Sequence, residues 1–305
     1  MNEEYDLAKE NFEFFRMKNP ESPLGDILFA GALVFEREHN HDFLNSKQID
    51  SLLYVAQDSS EALLSRDPED LWNNYLVALA KTYQTYWKLF KSNYFDGFAD
   101  GYSALNYFEK CIQLDSSFIE AKVVIGNYYY WSSVKTESFH WLPFIEDRRE
   151  QGLTALELAL TEKFLHRDFA LQSLCYAYIN EGRLIAAVKL ASDLRKKYPN
   201  SSKIKSILAR AYENLEPLKA IQLYKELVKS YQKKNLNNPY KLIELKNRLA
   251  RLYFENEMEK EGLKICNEVL TMSAIDELYQ LSVLPLIKEM VELCDSAKIN
   301  KNGED

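Results

Sequence analysis

Small and apolar residues recur along this chain at helical spacing. Ala8, Phe12 and Phe15 are followed by Pro20. Ala56, Ser60 and Leu63 precede Pro68, Ala104, Phe108 and Cys111 precede Ser116, and Gly152, Leu156 and Ala159 precede Phe164. Positions i, i+4 and i+7 share one face of an α-helix, so each set predicts an amphipathic helix with a small residue at its closest approach. The proline or turn residue twelve places on ends that helix. Ala8, Ala56, Ala104 and Gly152 are each 48 residues apart. A helix preceding the second, third and fourth of these shows another aligned set. Leu28, Leu76 and Val124 are apolar, Ala30, Ala78 and Gly126 are small, and Phe35, Tyr83 and Trp131 are aromatic. A fixed period of this size is the signature of stacked helix pairs, each burying its face only against its neighbours.

After Gly152 the slot continues at Ala187, Ala220 and Gly262, at intervals of 35, 33 and 42 residues. Around Ala187 the pattern is Leu171, Leu174, Cys175, Tyr178, Gly182, Ala187, Ala191, Leu194 and Pro199. It resembles the tetratricopeptide repeat over one full unit, with Cys175 where that family has Gly and Ala191 where it has an aromatic. Leu208, Ala209, Tyr212, Ala220, Tyr224 and Leu227 resemble it again, as do Leu249, Ala250, Tyr253, Gly262, Cys266 and Val269. The resemblance is specific over about 168–270. It is looser over 1–167, where each unit carries about fourteen residues more than the family's roughly 34. It implies an all-α, right-handed superhelical solenoid of about seven helix-turn-helix units, the early ones enlarged. The first unit is expected as its second helix alone, an end cap or the remnant of a trimmed chain. Enlarged repeats over 1–167, standard repeats over 168–270, closing helices over 271–297 and a disordered tail over 298–305 complete the expectation. The extra residues fall between paired helices, at 36–50, 84–96 and 132–148, and are expected to lengthen the helices or add a short one.

Composition agrees with helices, since Gly (9) and Pro (8) are scarce in 305 residues. No apolar run is long enough to span a bilayer, and Met1–Tyr5 shows no apolar leader. Cys111, Cys175, Cys266 and Cys294 lie far apart, without a CxxC pair, and are expected to be buried free thiols. Such unpaired cysteines point to a cytoplasmic setting, and a trimmed start to an exported or periplasmic one, so the compartment stays open. The net charge of −8 is uneven, with sixteen Lys/Arg against five Asp/Glu between Arg183 and Arg248. An acidic whole argues against nucleic acid as partner, while the basic third suits an acidic one.

Candidate chemistry is sparse. No Gly-x-Gly phosphate loop, Gly-x-Ser-x-Gly elbow or His-Glu-x-x-His site occurs, and no cofactor or metal is expected. His39-Asn-His41 with Asp42 reads as a polar loop rather than a metal site. The segment from Tyr128 to Arg149 is the most unusual, with Trp131, Trp141, His140, Pro143 and Glu146-Asp147-Arg148-Arg149. Its Trp131, Trp141 and Arg148 are the residue types of binding hot spots. Glu146 or Asp147 with His140 would be its acid–base alternative. Groove-facing positions are expected at Phe169, Gln172, Tyr176, Ile179 and Asn180, then Lys203, Ser206, Arg210 and Asn214. A subclass of the family clamps a C-terminal carboxylate with Lys then Asn in the first helix; Gln172 and Tyr176 stand there instead, which excludes that clamp. Tyr176, Asn180, Arg210 and Asn214 still suit an extended peptide. The expected function is a non-catalytic scaffold or adaptor that binds a protein or peptide partner in a concave groove, with a monomer favoured. Alternatives are an α/α-toroid-like hydrolase acting on a sugar or ring substrate, and a self-assembling subunit that docks through residues 4–19.

Overall fold

The computed structural model describes residues 2–139, 146–234, 239–272 and 277–302. They form fourteen α-helices, and no strand occurs among them. The chain divides into two compact units, one of residues 1, 3–39 and 43–177, the other of residues 2, 40–42 and 178–305. The division falls inside a helix, α8 (Arg167–Asn180).

In the first unit α1 (Tyr5–Lys18) stands alone before three helix pairs. These are α2 (Leu24–Asn40) with α3 (Ser46–Arg66), α4 (Leu71–Phe90) with α5 (Tyr94–Leu114), and α6 (Ile119–Lys135) with α7 (Arg149–Glu157). The extra residues at 36–50 and 84–96 mostly lengthen helices: α3, α4 and α5 run 21, 20 and 21 residues, against 14 for α8. Local chemistry sets these ends. Asp70 caps α4 by accepting from the Asn73 amide at 2.7 Å, satisfying a donor that has no partner inside the helix. After α6 a 3-10 turn spans Glu137–Phe139, and 140–145 lie outside the described residues.

The 48-residue slot sits at the packing contacts. Ala56 and Ala104 are buried, as are Ala30 and Ala78 of the partner helices. Ala8 is only half-buried, because α1 carries no buried residue and meets α2 through Lys9–Glu36 (3.2 Å) and Arg16–Asp26 (3.3 Å). Helices α6 and α7 approach closely through their glycines. A Cβ on Gly126 would lie 2.3 Å from the Ala155 Cβ, and one on Gly152 would lie 2.5 Å from the Gly126 carbonyl oxygen. Ile27, Ile49, Tyr75, Trp87 and Phe108 fill the core between these small positions. The buried thiols of Cys111 and Cys175 are each pushed up to about 12 by desolvation, so both stay protonated and inert at neutral pH.

The second unit pairs α10 (Ser202–Tyr212) with α11 (Pro217–Lys234) and α12 (Tyr240–Glu255) with α13 (Glu259–Leu270). Helix α9 (Leu184–Lys197) precedes them and α14 (Glu277–Asn302) follows. Gly182, at φ +68°, makes the left-handed turn into α9 that a side chain would strain. Ala187, Ala220 and Gly262 are all buried, so the slot holds at its shorter spacing. Two expectations change here. Cys266 and Cys294 are not free thiols but form a disulfide between α13 and α14. Their separation of 28 residues hid the pairing, which depends on α14 folding back beside α13. And α14 continues to Asn302, so 298–302 is helix where a polar tail was expected; Ala297, Lys298 and Lys301 are good helix formers. Residues 303–305 lie outside the described residues.

Candidate functional site

The candidate residues of the second unit lie on and beside the first helices of its repeats. Helix α10 buries Ile204, Ile207, Leu208 and Ala211. The spacing that buries them turns Lys203, Ser206 and Arg210 to the opposite side, where they are exposed or half-buried. Ser201 caps this helix by accepting from the Ile204 amide at 3.3 Å. Asn214 is exposed in the turn after α10, and Asn180 is exposed at the end of α8. Arg210 belongs to a charged cluster. The Tyr224 hydroxyl donates to the Glu213 carboxylate, and Arg248 Nη1 lies 3.2 Å from the same oxygen. Burial pushes the Tyr224 phenol far up and Glu213 adds to it, while Arg248 and Arg210 pull it back. Burial opposes the Arg248 charge, yet Tyr224, Glu213 and Glu244 together raise its pKa. The result is a fixed array of donors and acceptors on rigid helices, with Lys241 and Glu244 paired at 3.0 Å one turn away on α12.

Tyr176, half-buried on α8, belongs to the first unit, so the four expected groove residues are divided between the units. Gln172, expected to face the groove, is 6% exposed. Phe169 is exposed on one side but stacks on Phe35 of α2, with ring centroids 5.0 Å apart. Phe35 also meets Tyr83 and Tyr86 of α4. In the first unit, therefore, these rings pack against one another.

Beside them, the Tyr75 hydroxyl pairs with His166 Nδ1 at 3.0 Å. Burial holds the His166 imidazole below its ordinary pKa, and nearby Glu120 pulls the other way. The unfolded chain then binds the proton more readily than the folded one. Stability from neutral His166 is complete above its unfolded pKa, about 6.5, and is lost as pH falls through the folded value. Denaturant titrations from pH 7.5 to 5 should show this as an added slope of at most about 1.4 kcal/mol per pH unit, absent from His166→Gln. Equal slopes for both proteins would contradict it.

Side chains near the end of α6 and at 146–149 are engaged within the unit. Trp131 Nε1 donates to Ser173 Oγ at 2.9 Å, and Tyr130 donates to the Ala177 carbonyl at 3.2 Å, so both rings link α6 to α8. Arg148 pairs with Glu146 at 2.6 Å and lies 4.7 Å over the Tyr129 ring. Arg149 binds Asp147 and Glu137. Glu146 and Asp147 are thus held by guanidinium groups. Trp141, His140 and Pro143 lie outside the described residues. Tyr102 and Tyr128 are both exposed, and partial burial, with Tyr102 and Tyr129 nearby, raises the Tyr128 phenol. The sequence pattern singled out Tyr128 but not Tyr102, although Tyr102 repeats Tyr54 at the 48-residue period. His39 faces Glu3 at 3.4 Å, and no group of three or more His, Cys, Asp or Glu is placed to hold a metal among the described residues.

No protein-family model matches the chain, and no curated protein matches it in sequence. Solved structures do match. The Cut9–Hcn1 hetero-tetramer of the APC/C aligns over 96% of this chain and 52% of its own, at 14% identity and a TM-score of 0.55. The human IFIT1 dimer with m7Gppp-AAAA aligns over 96% and 63%, at 14% identity and 0.51. YrrB, a tetratricopeptide protein with an unusual peptide-binding site, aligns over 73% and 96%, at 12% identity and 0.46. This chain thus spans about half to two-thirds of the length of the first two. The shared feature is the fold: an all-α helical repeat of the tetratricopeptide kind.

Proposed function

We propose that the chain is a non-catalytic scaffold that binds a protein or an extended peptide along the first-helix side of its repeats. The observation that carries this reading is the polar side of α10 and α12, with Lys203, Ser206, Arg210 and Arg248 held on helices whose opposite sides are core. Rigid elements that present hydrogen-bonding side chains at repeat spacing suit a peptide backbone. Asn180 and Asn214 each offer an amide that can donate and accept, and Arg210 adds one cation. Tyr176 of the first unit is assigned the same role. IFIT1 was solved with a capped RNA, but a likeness of 14% identity carries no ligand across, and the acidic net charge of −8 favours a polypeptide. Pull-down from native extract with Tyr176→Ala plus Arg210→Ala should lose the partners that the unaltered chain retains, by roughly tenfold or more. Full retention by the double variant would reject the reading.

A further inference from the structure

The cations of the second unit sort by side. Arg195 and Lys205 reach Glu226, Lys241 reaches Glu244, Lys246 reaches Glu268, Arg248 reaches Glu213, and Arg251 reaches Glu289. The outward sides of α9 and α11 are different. Ile185, Lys189 and Lys196 fall at i, i+4 and i+11 on one face of α9. Leu218, Lys225 and Lys229 fall at i, i+7 and i+11 on one face of α11, and Lys233 extends that face by a turn. All seven are exposed, and Ile185 and Leu218, at 76% and 65%, are among the most exposed large apolar residues described. Ile185 and Leu218 are 33 residues apart, as are Lys196 and Lys229 and the buried Ala187 and Ala220. The two stripes therefore occupy equivalent slots of consecutive repeats. Lys189, Lys225, Lys229 and Lys233 form no ion pair among the described residues. The one exposed acid on these helices, Asp193, is held by Lys196 at 2.8 Å.

We propose that this outward face of α9 and α11 docks an acidic segment of a partner protein that also carries apolar side chains. Like charges one turn apart on α11 repel, and bound carboxylates would relieve that repulsion. Ile185 and Leu218 give the segment apolar contacts at the end of each lysine row, over a stripe about 16 Å long. Nucleic acid fits less well, since the face holds no aromatic ring for bases to stack on and no guanidinium fork for phosphates. A membrane fits less well too, since two short aliphatic side chains without an aromatic anchor bury little area. This surface lies on second helices and is independent of the first-helix site proposed above.

Fluorescence anisotropy on the full chain tests it, with a labelled peptide of alternating Glu and Leu as probe. A Gln/Leu peptide, an oligouridine RNA and phosphatidylserine vesicles serve as comparison ligands. The Glu/Leu peptide should bind best, and more weakly as salt rises. Lys225→Glu with Lys229→Glu should weaken it about tenfold, and Ile185→Ser with Leu218→Ser about fivefold, without lowering the Tm. Arg210→Ala should leave it unchanged, which separates this face from the first-helix site. The proposal is overturned if the Glu/Leu peptide fails to bind, if charge reversal leaves its affinity intact, or if RNA or vesicles bind more tightly. Indifference to the Ile185 and Leu218 changes would reduce the face to plain ion exchange and overturn it as well.

Discussion

Gly152→Val is expected to destabilise the first unit by about 3 kcal/mol or more, the upper part of the range for overpacked cores. A Cβ at this position would lie 2.5 Å from both the Gly126 carbonyl oxygen and the Tyr130 amide nitrogen. Both are backbone atoms, so no side-chain rotation makes room. The α6–α7 pair would have to separate, and Tyr130 and Trp131, whose polar atoms bond to α8, would lose their register. Gly101→Ala is the matched control. Its nearest neighbour would be the Thr85 side chain at 3.4 Å, and alanine favours a helix over glycine by about 1 kcal/mol. That variant should be neutral or slightly more stable. Urea titration followed by tryptophan fluorescence measures both, and equal stability of Gly152→Val and the parent would refute the close approach.

Loss of the Cys266–Cys294 disulfide is expected to cost the second unit about 3–4 kcal/mol, from the added freedom of a 28-residue loop in the unfolded chain. The paired change Cys266→Ala with Cys294→Ala tests this without leaving a lone thiol. The bond ties α14 over a cluster that includes Ile243, Ala250, Val269, Val283 and Met290. Melting should therefore fall for this unit and become insensitive to added reductant. Intact mass of the unaltered chain should rise by two hydrogen atoms on reduction, and before reduction a denatured sample should show two reactive thiols, those of Cys111 and Cys175. Four reactive thiols in an unreduced, denatured sample would show that the bond is absent.

Much of the fold was legible from side-chain size and spacing. Ala56, Ala104 and Gly152 mark helix contacts because only small residues let backbones approach, and that constraint leaves its period in the sequence. The same slot at Ala187, Ala220 and Gly262 carried the resemblance to the tetratricopeptide repeat. The candidate site was less legible. Spacing marked Arg210, Asn180 and Asn214 as candidates, and these are accessible, while Gln172, marked by the same period, is buried. Periodicity says which residues share a face and leaves open whether that face meets solvent or another helix. Trp131 and Arg148 have the composition of a hot spot, yet Ser173, Glu146 and Tyr129 engage them within the unit. The lysine face of α9 and α11 was visible as local charge, while its separation from the paired cations was not.

By itself the sequence determined the helical-repeat architecture, the enlargement of the early repeats and the basic character of residues 183–248. These follow from short-range rules, in which size, polarity and turn chemistry act within one or two helices. Tertiary structure alone decided that Cys266 meets Cys294, that Phe35 reaches Phe169, and which cations find a carboxylate. Each of those depends on segments far apart in the chain being brought together by packing, and residue spacing holds no record of it.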